Sequence, residues 1–306
     1  MPPQVGHGPF AQRLQMTQTR QWIHAWLLLL PAFVFLLAFT HVPAITTLIN
    51  SLYTTPRGRR PARWAGIENY QTLIDDPVFW KVLGNNIWFA IGTIPASIVI
   101  ALAMALWVNQ KLWGRSALRM AYFTPTVLPM IAVANIWLFF YTPGFGLFDQ
   151  ITGLFGLGHS NILGQTDTAL VGVMVVTIWK EAGFFMIFYL AALQTIPPSL
   201  IEAARIEGAG PWTIFRRVTF PLLMPTTLFI GVNAVVNAFR MVDHIFILTA
   251  GGPDNASSLL LFYIYEVAFR FWDTAYAATL TVVLLVLLGM LALGQFFLFD
   301  RKVHYK

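Results

Sequence analysis

Four ionisable residues stand inside otherwise apolar sequence: Lys180 and Glu181 in one run, Arg240 and Asp243 in another. A charge within a bilayer is costly, so it pairs with an opposite charge or lines a polar cavity. At about 3.6 residues per helical turn, Asn233, Asn237, Arg240 and His244 fall on one stripe. That stripe faces either a partner helix or a polar route across the membrane. The other reading is packing, in which Arg240 and Asp243, at i and i+3, form an ion pair that fixes a helix. No HExxH, no paired metal-ligand spacing and no Ser/His/Asp set occurs, and with no cysteine there is no thiolate nucleophile or thiolate metal site. The chemistry on offer is binding and passage rather than bond making.

A second group with a distinctive spacing is Ile196-Pro-Pro-Ser-Leu-Ile-Glu-Ala-Ala-Arg-Ile-Glu-Gly-Ala-Gly-Pro-Trp-Thr-Ile-Phe-Arg-Arg-Val-Thr-Phe-Pro221. The two prolines stop the preceding run, and Ser199 with Glu202 matches a capping box. The first helix is expected to run to Glu207, with Gly208 and Gly210 allowing a tight turn at positive φ. Pro211 suits the first position of a second helix, which is expected to end before Pro221. Leu200, Ile201, Ala203, Ala204 and Ile206 give the first helix much apolar surface, and its alanines permit close approach of another backbone. Such a helix either receives a partner or lies on the bilayer surface.

The elements that carry these groups are membrane spans. Of 306 residues 57% are hydrophobic and only 10% charged, well below the roughly 25% charged of soluble domains, which excludes a water-soluble globule and a disordered chain. A helix crossing the hydrocarbon needs roughly 20 apolar residues. Six runs qualify: Ala25–Ile49, Asn85–Val108, Ala121–Tyr141, Ala169–Leu193, Leu222–Leu248 and Ala275–Phe299. Pro31, Pro95, Pro125, Pro129 and Gly183 interrupt them, as membrane helices tolerate. The first run is too long for a signal peptide and has no clear cleavage site, so it is expected to stay as a span. The expected organisation is an all-α membrane protein with a tail over 1–24, a six-span domain over 25–299 and a second tail over 300–306.

Six spans put both termini on one side. With the termini inside, inner segments carry Arg13, Arg20, Lys111, Arg115, Arg119, Arg205, Arg216, Arg217, Arg301, Lys302 and Lys306, against Arg57, Arg59, Arg60, Arg63, Lys81 and Arg270 outside. The excess favours cytoplasmic termini and explains the net charge of +6 without nucleic acid. The Arg57–Arg63 cluster runs against this rule and points to an acidic partner or a lipid. No hydrophilic loop is long enough for a nucleotide-binding domain, and no GxxxxGK[ST] occurs, so the chain cannot hydrolyse ATP by itself.

The segment 197–221 resembles the EAA loop of permease subunits of binding-protein-dependent ABC importers. The family pattern is Glu-Ala-Ala, three residues, Gly, nine residues, an aliphatic residue, any residue, Leu, Pro. Glu202-Ala203-Ala204, Gly208, Val218 and Pro221 match it, while Glu207 replaces the usual Asp and Phe220 the Leu. Gly66-Ile-Glu-Asn-Tyr70, Asp76-Pro-Val-Phe-Trp80, Leu248-Thr-Ala-Gly-Gly-Pro253 and Tyr263-Ile-Tyr-Glu-Val-Ala-Phe269 are similar to the carbohydrate-importer branch. Ala191–Pro197 and Val303-His-Tyr-Lys306 are similar to glycerol-3-phosphate permeases.

The resemblance implies a type I permease fold in the bacterial inner membrane and a non-catalytic role. Glu202, Ala203, Ala204, Arg205, Glu207 and the Gly208 turn would couple to separate ATPase subunits, which hold the ATP and Mg; no cofactor is expected in this chain. It implies a second homologous permease, two ATPase subunits and an extracytoplasmic solute-binding protein, met by the loops 149–168 and 251–273. It places Lys180, Glu181, Phe184, Asn237 and Met241, with Asn233 and Arg240 of the stripe, on the route of a small polar solute: a carbohydrate, polyol or glycerol-phosphate. Amides and charges would bond its hydroxyls, Phe184 would stack on its apolar face, and Lys180 or Arg240 would hold a phosphate. The alternative is an ion-coupled secondary transporter using Glu181 or Asp243 as carrier, for which the internal repeat of many such folds is missing.

Overall fold

The computed structural model describes residues 9–110, 113–156 and 161–300, with side chains described over 20–110, 113–156 and 161–295. Lys111, the tail 1–8 and the ending 301–306, with the Val303–Lys306 match, lie outside the described residues. Among the described residues the regular structure is helical, with isolated bridges and no strand.

Five helices are long and apolar enough to cross a membrane: Arg20–Asn50, Pro77–Val108, Ala169–Thr195, Pro211–Arg240 and one starting at Thr274 that runs to Asp300. They are called spans 1, 2, 4, 5 and 6. Span 3 is a bent pair, Arg115–Val127 and Met130–Tyr141, at 103° to each other. Counted as one crossing, the pair completes the expected six. The continuous helix expected over Ala121–Tyr141 is therefore corrected: Leu128 and Pro129 are extended, with ψ of 136° and 142°. Pro129 has no N–H to give and forces its predecessor out of the helical region, and here nothing restores the helix across them.

Span 5 differs at both ends from the expected Leu222–Leu248. It begins at Pro211, because the helix passes through a five-residue π turn, Phe215–Thr219, and runs on past Pro221. Pro221 falls at the start of the next α segment, where its missing donor is tolerated, so it does not terminate the second rod as expected. The far end stops at Arg240; Met241 is extended (ψ 126°) and a separate helix, Asp243–Leu248, follows. The stripe that was to join Asn233, Asn237, Arg240 and His244 is broken before His244.

Spans 2, 4 and 5 form the centre. Span 4 packs closely along span 2 and against Arg115–Val127, the first half of span 3, and supplies many of the buried side chains. Gly183 is needed there, because a Cβ would lie 2.2 Å from the backbone oxygen of Tyr122 in span 3. One apolar cluster gathers Phe89, Val173, Ile245, Leu260, Phe262 and Leu280; a second joins Phe185, Met186, Tyr189, Leu223 and Ile230. Span 1 has no buried residue up to Asn50, and its apolar side chains remain free to face lipid or another chain.

Candidate functional site: a polar pocket between spans 2, 4 and 5 and an exposed connecting helix

Glu181 lies on the buried face of span 4 with 8% of its surface exposed, and its Oε2 accepts from Asn237 Nδ2 of span 5 at 3.3 Å. Around this pair lie Met241 and three hydroxyl residues, Thr93, Ser97 and Thr177. Thr93 and Thr177 spend their hydroxyls on the carbonyls four residues earlier. Ser97 Oγ is buried without a partner among the described residues. The pocket has a volume of about 10 Å³, on the order of the space one water needs. The polar groups are thus gathered in a narrow space, too small for a sugar in this conformation.

Of the residues expected on a solute route, Glu181, Asn237 and Met241 meet here. The others do not line this pocket. Lys180, one residue away, is turned about 100° around the helix and reaches span 3. Its Nζ donates to the carbonyl of Pro125 at 3.2 Å and to that of Leu128. Those carbonyls belong to the break in span 3, so the lysine satisfies backbone groups the prolines leave open. Phe184 packs edge-on against Phe188 at 5.1 Å. Asn233 donates to the Phe229 carbonyl of its own helix. Arg240 and Asp243 are both exposed and, among the described residues, form no ion pair. The expected i,i+3 bridge is not made because the helix ends between them. His244 is fully buried against Phe89 and Thr177, with Nε2 3.3 Å from the threonine hydroxyl.

The sequence reading missed Thr93, Ser97 and Thr177. A signal was present, since Thr93 and Ser97 are i,i+4, as are Thr177 and Glu181. It also missed Asn86, which donates to the Ala238 carbonyl and accepts from the Leu260 amide, joining span 2 to the end of span 5 and to the start of the helix Leu260–Tyr265. On the side where spans 1, 2 and 6 meet their loops, the Asp76 carboxylate caps span 2 through the Val78 amide at 2.8 Å and accepts from the hydroxyls of Tyr263 and Tyr276, both at 2.7 Å. Burial pushes the Asp76 carboxyl up, but these hydrogen bonds and the Phe79 amide outweigh it and hold it below the ordinary aspartate value. Lys81 bonds the carboxylate of Asp254 at 2.7 Å, and Asn85 the carbonyls of Asn255 and Ser258, so the glycine-rich loop is pinned to span 2.

At the opposite end, spans 4 and 5 are joined by the helix Pro198–Ile206 and a tight turn. None of its residues is buried; Ile206 is 87% exposed and Trp212 beyond the turn 70%. The expected capping box is not formed. Pro197 is the N-cap with no side-chain bond, and Ser199 sits inside the first turn. The other end is as expected: Gly208 has φ +82°, its amide bonds the Arg205 carbonyl and the Ala209 amide bonds that of Ala204, both at 3.0 Å. This is a Schellman closure. Gly210, at φ −70°, needs no positive φ, and Pro211 opens span 5. Glu202, Ala203, Arg205 and Glu207 are exposed and Ala204 half-exposed.

The family model described as the binding-protein-dependent transport system inner membrane component matches residues 95–305. The chain belongs to this family of ABC importer permeases. Among its relatives is the lactose transport system permease protein LacF of Rhizobium radiobacter, 32% identical over 90% of this chain and 93% of that one. The probable starch degradation products transport system permease protein AmyD of Thermoanaerobacterium thermosulfurigenes is 30% identical over 90% and 94%. The sn-glycerol-3-phosphate transport system permease protein UgpA of Salmonella typhimurium is 31% identical over 94% and 97%. In fold the permease matches a chain of a bacterial ABC transporter for the acidic polysaccharide alginate, with TM-score 0.82, 23% identity and coverage of 95% and 100%. A second structure of an alginate transporter, in complex with a pentasaccharide-bound periplasmic protein, matches at TM-score 0.83, 23% identity and coverage of 94% and 98%. This chain is thus a multi-pass inner-membrane permease with the fold of that class.

Proposed function

We propose that this permease carries a carbohydrate, polyol or glycerol-3-phosphate-like solute by alternating access, driven by ATPase subunits that grip the helix Pro198–Ile206. The observation that carries the reading is that helix. It is wholly unburied, closed by a rigid Schellman turn, and one residue beyond Gly210 it becomes span 5. A push on it moves the span that supplies Asn237 to the polar pocket, and alternating access requires such a stiff link. Glu202, Ala203, Ala204, Arg205, Glu207 and Gly208 form the gripped surface. ATP and Mg belong to the partner subunits, and this chain performs no catalysis.

Glu181, Asn237, Met241 and the nearby hydroxyls are the solute-facing groups of this chain. They suit a hydroxyl-rich cargo, and the names of the relatives support that class. A second homologous permease supplies the other half of the route, and a solute-binding protein delivers cargo to the loops opposite the connecting helix, which places both termini in the cytoplasm. The test is uptake in proteoliposomes holding the complete transporter and its binding protein, with sugars, polyols and sn-glycerol 3-phosphate offered in turn. Uptake that requires ATP and ignores an imposed proton gradient is expected. Uptake that follows the gradient without ATP would contradict the reading and restore an ion-coupled carrier using Glu181 or Asp243.

A further inference from the structure

The arginines after span 1 take no part in the solute pocket or the connecting helix. Tyr53 bridges to Trp64 and Arg57 to Arg60 in antiparallel fashion, so 53–64 is a short hairpin turning at Gly58, φ +59°. Its flanks are tied down: Arg57 lies 3.5 Å from Asp273 at the start of span 6, Arg63 3.3 Å from Glu68, and Asn69 holds the carbonyls of Ser51 and Tyr53. Between these parts lies a cavity of about 510 Å³, whose walls include Thr54, Thr55, Arg57, Arg60, Arg63 and Asp273. Three guanidiniums there face one carboxylate, and Arg60 has no ion pair among the described residues. The cavity is therefore built for an anion.

Its setting narrows the class. Trp64, Ile67, Ile74 and Trp80 are each more than half exposed, and Trp80 Nε1 donates to the Ile74 carbonyl. The loop follows the end of span 1 at Asn50 and leads to the start of span 2 at Pro77, and Thr55 bonds Asp273 just before span 6. Trp64 packs edge-on against Tyr53 of the hairpin at 5.3 Å, and an exposed tryptophan on a cationic loop that follows a membrane span marks the headgroup region of a bilayer. We propose that this cavity binds the phosphate of an anionic phospholipid in the leaflet opposite the connecting helix. The planar guanidinium forks of Arg57 and Arg60 match phosphate oxygens, and the apolar margin receives the glycerol and upper acyl chain. A free phosphate or carboxylate would use the same forks but leave that margin empty. A zwitterionic lipid would bring a cation toward the arginines. The inference rests on this loop and is independent of the solute and of the ATPase contact.

The test is native mass spectrometry of the assembled transporter released from nanodiscs of equal phosphatidylglycerol and phosphatidylcholine. Wild type is expected to retain phosphatidylglycerol selectively. The double variant R57Q/R60Q should lose that selectivity by about 30-fold and R60Q alone by about 5-fold, in line with the worth of basic groups at an anionic surface. R59Q, at the hairpin tip and outside the cavity, should behave as wild type. If the double variant fails to assemble, R60Q, which breaks no ion pair among the described residues, carries the test. Equal retention of the two lipids by wild type, or undiminished selectivity in R60Q, overturns the proposal. Displacement of phosphatidylglycerol by millimolar inorganic phosphate or sn-glycerol 3-phosphate overturns it too, because the site would then serve a free anion.

Discussion

Lys180 and Glu181 are neighbours in sequence, yet the turn of span 4 sends them to different tasks. Glu181 meets Asn237 in the pocket, while Lys180 binds the carbonyls of Pro125 and Leu128. A lysine with its donors spent on backbone is a brace. Lys180→Met should lower the stability of the purified transporter by about 2 kcal/mol, the worth of hydrogen bonds to a charged group, and leave the KM for uptake unchanged. Thermal unfolding and uptake kinetics check this, and a shifted KM at unchanged stability would speak against it. Asp76 is a brace at the start of span 2. Its depressed carboxyl contributes stability that is full above the unfolded value, near 3.8, and is lost as pH falls through the lower folded value. Asp76→Ala should destabilise by about 1–3 kcal/mol at neutral pH, with the difference from wild type narrowing in melts taken at progressively more acid pH.

At the scale of elements, the connecting helix and span 5 are one mechanical unit closed by Gly208. Proline fixes φ near −65°, which the +82° of Gly208 forbids. Gly208→Pro should leave membrane insertion intact and abolish both uptake and transport-coupled ATP hydrolysis. Protease protection of the membrane-embedded chain and paired uptake and phosphate-release assays check it, and normal uptake would count against the link. The spans themselves were legible, because about 20 apolar residues in a row have few other uses. So were the Gly208 turn and Pro211, where residue type dictates backbone. The break in span 3 was not: Pro125 and Pro129 read alike, yet Pro125 lies inside a helix and Pro129 in the extended break before the next. Nor was the run past Pro221, where a π turn absorbs what would have been a stop. The contacts of Asp76 join residues 187 and 200 positions apart, and no local pattern carries such a pairing.

For the whole molecule, the two ends have opposite characters. One is tied together by Asp76, Lys81, Asn85 and the hairpin after span 1, and the other projects a helix that none of the described residues buries. The polar pocket lies between them and holds about 10 Å³, so opening it requires spans 2, 4 and 5 to part. The connecting helix is unburied and joined to span 5 through the Gly208 turn, and on the proposed function the force that opens the pocket enters there. The chain has no cysteine, so Ala203→Cys places a single thiol on that helix. Its labelling by a maleimide, measured in the permease alone and in the complete transporter with its ATPase subunits, is the most direct test. Rapid labelling alone and strong protection in the complex are predicted; equal labelling in both would show that nothing grips the helix and would contradict the account.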